Sequence, residues 1–166
     1  MKQDRFLLGI LIFIGLLIVA ALTLFFVRQD TQTYGAEDTP EGVIRNYALA
    51  LQNRDFQRAY GYLAEKENKP TFDYFRQAFL SRQLDVSGTA LQVGAVEYMD
   101  NGEALVTVIV IHASSGPFSE RWDSTETATL VRQDGDAQHL LGWKITYMPH
   151  PYWGWDWYQP TPQPVK

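Results

Sequence analysis

Trp153, Trp155 and Trp157 recur at every second position in the last part of the chain. In an extended backbone that spacing puts three indoles on one side, about 7 Å apart, with Gly154 and Asp156 turned the other way. Flat aromatic faces in a row suit sugar rings or proline-rich peptides, and Tyr152 and Tyr158 lengthen the row to a candidate binding surface of five residues. The segment 149–166 (PHPYWGWDWYQPTPQPVK) holds five of the eight prolines, which exclude a helix or a central strand. The reading preferred for these residues folds this tail back over the domain and buries the indoles while their N–H groups reach partners.

The three histidines offer metal or acid–base chemistry only if the fold gathers them. His112 ends an apolar stretch, His139 precedes another, and His150 lies between Pro149 and Pro151, so none has the close spacing of a local metal motif. The chain has no cysteine, which excludes disulfides, thiolate zinc sites and thiol nucleophiles. No glycine-rich phosphate loop and no serine nucleophile elbow occurs, and no cofactor or metal is expected. From Arg28 onward there are twelve basic and eighteen acidic side chains, a field that repels polyphosphates and argues against nucleic acid as a partner.

The elements that must position these residues fall into two groups. Thr39, Pro40 and Glu41 form a helix start, with cap, first-turn proline and an acid at the positive end of the dipole. Val43, Ile44, Tyr47, Ala48, Ala50 and Leu51 follow at helical spacing. Asp55 caps a second short helix carrying Phe56, Ala59, Tyr60 and Leu63, and Thr71 caps a third carrying Phe72, Phe75 and Phe79. From Thr89 the pattern changes to Val, Ile, Thr, Tyr and Trp in four segments, 91–99, 104–113, 120–132 and 140–148. The turn signals Asp100-Asn101-Gly102, Ser114-Ser115-Gly116-Pro117 and Asp134-Gly135-Asp136 separate them. Short connections of this kind predict an antiparallel meander. The second segment is apolar on both faces, as expected for a mid-sheet strand covered on both sides. Three helices on a curved antiparallel four-stranded sheet make an α+β domain.

The stretch TPEGVIRNYALALQNRDFQRAYGYL, residues 39–63, resembles the opening of the nuclear transport factor 2-like superfamily, the cystatin-like cone of exported bacterial and SnoaL-like proteins. The features that carry the resemblance are the Thr-Pro-Glu start, Tyr47, the polar break at Asn53, and Asp55-Phe56 followed by Ala59-Tyr60 and Leu63. Gly142-Trp143-Lys144-Ile145 is similar to that family's last strand, so the resemblance covers residues 39–148. It implies a functional place inside the cone, where Tyr47, Tyr60, Phe75, His112 and Trp122 are the candidate cavity residues. Isomerases of the family pair a carboxylate base with a tyrosine and an acid that polarise a carbonyl. Tyr47 matches the tyrosine, but no carboxylate matches the base: Asp55 reads as a cap, and the facing of Glu97, Asp123 and Glu126 depends on strand register. No catalytic residue is therefore assigned.

Ahead of the domain lies an apolar run of 22 residues, FLLGILIFIGLLIVAALTLFFV. As a helix it would reach about 33 Å, enough for the roughly 30 Å hydrocarbon layer. The resulting expectation is a cytoplasmic stub (1–5), a single membrane-spanning helix (6–27), a linker (28–38), the α+β domain (39–148) and the tail (149–166). Lys2 and Arg5 beside the amino terminus, against Arg28 alone on the other side, favour an extracytoplasmic domain in the cell membrane. The function expected is a membrane-anchored binding or assembly domain without catalytic activity, holding a small apolar ligand or a protein partner. Pairing of two copies through the sheet is open. The alternatives are a lyase or isomerase using the cone, and glycan or proline-rich peptide recognition by the tail.

Overall fold

The computed structural model describes residues 3–28, 33–113, 121–133 and 142–158, which fall into two units, Met1–Thr33 and Tyr34–Lys166. In the first unit α1 (Gln3–Arg28) is a helix of exposed Leu, Ile, Phe and Val. Among the described residues no helix is long and apolar enough to cross a membrane. That finding overturns the expected anchor, and with it the single-pass and extracytoplasmic assignments.

In the second unit the helices begin where side-chain oxygens meet free N–H groups. Thr39 accepts from Gly42 N at 3.2 Å and opens α2 (Pro40–Gln52); Asp55 accepts from Arg58 N at 3.1 Å and opens α3 (Phe56–Gly61). Thr71 accepts from Tyr74 N at 3.3 Å and opens α4 (Phe72–Leu80). Then β1 (Thr89–Tyr98), β2 (Glu103–Ala113), β3 (Arg121–Gln133) and β4 (Gly142–Tyr147) form one antiparallel sheet in sequence order. The β1–β2 turn is the expected one: Gly102 takes a φ of 81°, and Met99 N donates to Glu103 O at 2.9 Å. The turns expected at 114–117 and 134–136, and His139, lie outside the described residues.

Burial along β2 alternates. Ala104, Val106, Val108 and Val110 are buried with Ala128 and Leu130 of β3 and Ile145 of β4, facing Val43, Ile44, Tyr47, Phe75 and Phe79 of the helices. Leu105, Thr107, Ile109 and Ile111 on the other face are half-buried, so the chain covers β2 fully on one side only. Bulges between Val93 and Val96 and between Thr129 and Leu130 shift the register on either side of the central pair. The outer side of β4 is closed by the segment after α3, where Ile145 N donates to Tyr62 O at 2.8 Å and Ala64 N to Ile145 O at 2.9 Å.

The segment ahead of α2 and the tail are both packed on the domain. Residues 34–37, inside the expected linker, are held by the buried Asn46, whose amide accepts from Gly35 N at 2.8 Å and donates to Gly35 O at 3.0 Å. Glu37 adds bonds at 2.7 Å from both Tyr62 Oη and Arg58 Nη2. The tail up to Tyr158 turns back over α4. Tyr74 Oη donates to Asp156 Oδ2 at 2.6 Å and Tyr158 N to Asn68 O at 3.3 Å.

Candidate functional site

The helices, the sheet and the tail meet at Tyr47, which is 0 % exposed. Its hydroxyl donates to the backbone carbonyl of Tyr152 at 2.7 Å, so the phenol is engaged by the tail and meets no carboxylate. Burial, with Tyr158 and Tyr152 nearby, pushes its pKa well up and keeps it neutral. Phe75 is also fully buried and packs against Tyr60, Phe79 and Trp157 at ring separations of 5.5, 5.2 and 5.2 Å. Tyr60 is half-buried, donates to Pro70 O at 2.8 Å, and carries the Lys69 ammonium 4.1 Å above its ring. Tyr47, Tyr60 and Phe75 therefore belong to one aromatic core. His112 and Trp122 lie apart from it. They are register partners on β2 and β3, stacked at 3.8 Å and 11°, with Trp122 56 % exposed.

The tail's aromatic residues do not form a row, because residues 151–158 run through turns instead of an extended path. Trp153 and Trp157 are buried against each other at 5.0 Å, Trp157 also meets Phe79, and Trp153 stacks on Tyr158 at 5.5 Å. Trp155 points out and is 81 % exposed. Tyr152 is fully buried, with its hydroxyl 3.1 Å from Thr89 Oγ1 and near the Gln52 side chain. A cavity of about 90 Å³ lies beside the turn, bounded by Tyr74, Ala78, His150, Trp153, Trp155 and Trp157. The Trp157 indole N–H is buried without a hydrogen-bond partner among the described residues.

A larger cavity, of about 500 Å³, opens elsewhere, and none of the five expected cavity residues lines it. It lies where α2 and α4 end and the chain passes from α4 into β1. Leu51, Phe56, Phe79, Leu84 and Val86 give it an apolar wall; Gln52 and Thr89 line it beside the Tyr152 hydroxyl. Arg54, Arg82, Asp85 and Ser87 complete the rim. The Asp85 carboxylate accepts from Ser87 N at 2.9 Å and Ser87 Oγ at 2.5 Å, which with the Arg82 charge holds its pKa below the usual carboxylate value. This lining contains no paired acid and base set to move a proton. Among the described residues no group of three His, Asp or Glu side chains is placed to hold a metal. The residues missed from sequence, Arg54 and Arg82, follow α2 and α4 in the position that usually carries glycine; the missing glycine at both helix ends was the available signal.

No protein-family model matches the chain, and no curated protein is significantly similar to it. Among solved structures it is similar to one described as an NTF-2 like protein of unknown function from Shewanella oneidensis MR-1. The match covers 63 % of this chain and 88 % of that one at 12 % identity, with a TM-score of 0.45. A likeness at that level assigns neither activity nor ligand.

Proposed function

We propose that residues 34–158 form a binding domain with the cone architecture of the nuclear transport factor 2-like superfamily, which holds a small, mainly apolar ligand without transforming it. The observation that carries this reading is the cavity of about 500 Å³ at the ends of α2 and α4. Its volume is in the range of small-molecule sites, and its lining mixes aliphatic and aromatic side chains with as many polar or charged ones. A non-catalytic role is supported by the engagement of Tyr47 with a backbone carbonyl and of Asp85 with Ser87. Neither has the partner that proton transfer needs.

Val86 is half-buried on the connection into β1 and lines the cavity, so Val86→Trp fills the space from a position that tolerates bulk. A neutral fluorescent probe, N-phenyl-1-naphthylamine, titrated into the full chain should bind, and the Val86→Trp variant should lose about tenfold or more in affinity. Comparing the two chains cancels any binding by the exposed apolar side chains of α1. Equal binding by both chains would remove the cavity as a ligand site.

A further inference from the structure

Arg54 and Arg82 share an unusual backbone state. Arg54 has a φ of 59° and Arg82 a φ of 60°, the left-handed region that glycine occupies without strain. Each comes directly after the cap that closes a helix, Asn53 for α2 and Ser81 for α4. Arg54 N donates to Leu51 O at 3.1 Å with Asp55 N to Ala50 O at 2.8 Å, and Arg82 N donates to Phe79 O at 3.2 Å with Leu84 N to Ala78 O at 2.9 Å. Two independent helices thus end on an arginine where glycine would be more comfortable, and both arginines line the same cavity.

Neither charge is held in an ion pair: among the described residues those pairs are Arg58 with Glu37 and Lys69 with Glu65. Asp85, the one acid of the rim, accepts both Ser87 bonds on Oδ1 and feels the Arg82 charge nearby. In a chain of net charge −5 the cavity is ringed by two guanidinium groups against one carboxylate. Exposed cations beside a mixed lining that includes Phe56, Leu80 and Val86 match a molecule with one anionic end and one apolar end.

We infer that the cavity takes an amphiphilic carboxylate, its anionic head held by Arg54 and Arg82 at the rim and its apolar part against Leu51, Phe56, Phe79 and Leu84. This rests on the cavity being a binding site and adds the charge of the ligand. The rival account is that each arginine only complements the negative end of its helix dipole. That account predicts no preference among ligand heads.

Decanoate, ionised at pH 7, and decan-1-ol share a chain and differ in charge. Calorimetric titration of the full chain should show decanoate binding at least about tenfold more tightly. In the double variant Arg54→Gly, Arg82→Gly the two should bind alike, whatever the change in affinity for decan-1-ol. Glycine suits both φ values, so a thermal midpoint equal to or above that of the parent accompanies the loss. On the unmodified chain, raising salt from about 20 mM to about 500 mM should shrink the decanoate preference, because the rim charges are exposed to screening.

Equal affinities for decanoate and decan-1-ol in the parent chain, or a decanoate preference that survives the double variant, overturn the anionic head and leave the cavity as a site. Should the double variant fail to fold, a decanoate preference that ignores salt overturns it instead. Binding of both compounds that is the same in Val86→Trp as in the parent overturns the cavity itself.

Discussion

The middles and the ends of α2 and α4 serve opposite purposes. In their middles Tyr47, Phe75 and Ala78 turn to the sheet and tail and leave no large space, and even the Tyr47 hydroxyl is taken by Tyr152. At their ends the same two helices give way to left-handed arginines that line about 500 Å³ of open volume. Packing explains the difference. A helix middle offers a continuous apolar stripe that a neighbouring layer can fill, whereas a helix end must release its chain and satisfy its last carbonyls. A binding site is therefore more readily kept open at the ends of these helices than between them.

The largest test of that contrast is Tyr152→Ala, which empties the interior and removes the hydroxyl beside Thr89 and Gln52. It should destabilise the protein by about 3–5 kcal/mol in urea unfolding. A loss within about 0.5 kcal/mol would mean that the tail does not fill the interior.

Alkaline titration sharpens the same comparison through the buried phenols. Burial, reinforced by the Glu37 hydrogen bond and opposed by Arg58, raises Tyr62 to about 12, and burial moves Tyr152 upward as well. A folded-state pKa above the unfolded value of about 10 gives stability that is complete below pH 10 and is lost as pH rises through 12. The urea midpoint should hold up to about pH 10 and fall towards pH 12, in step with tyrosinate absorbance. A midpoint that stays level across that range would contradict the buried environment.

The smallest effect belongs to Trp155→Ala. With 81 % of its surface exposed, this ring should contribute no more than about 0.5 kcal/mol to thermal or urea stability. A larger loss would show that the outward ring has a packing partner and would blur the line between filled and open regions.

The α+β order was legible in sequence because its signals are local. Thr39, Asp55 and Thr71 each accept the backbone hydrogen bond expected of a cap, and the four β-rich segments pair as a meander. Local signals failed where distant residues decide. Alternation at Trp153, Trp155 and Trp157 implied a stripe, but contacts with Phe75, Phe79 and Tyr158 turn the segment and separate the three rings. The linker stretch 29–38 showed no period, yet the Asn46 amide fixes Gly35 across eleven positions. The candidate site was the least legible part. A cavity is bounded by elements whose separation no short-range pattern encodes, and the Asn53-Arg54-Asp55 break reads as a simple interruption until both helix ends are seen together. The apolar run likewise led to an anchor that the described residues do not support.

Tyr152 touches both regions at once: its carbonyl accepts from Tyr47, and its hydroxyl stands at Thr89 behind the open volume. One residue after the last strand thus serves as a shared partition, like a wall common to two rooms. Clipping the polypeptide just beyond Met148 would join the two spaces and let water into the heart of the domain. Affinity handles and fusion partners therefore belong after Tyr158, never in place of what precedes it.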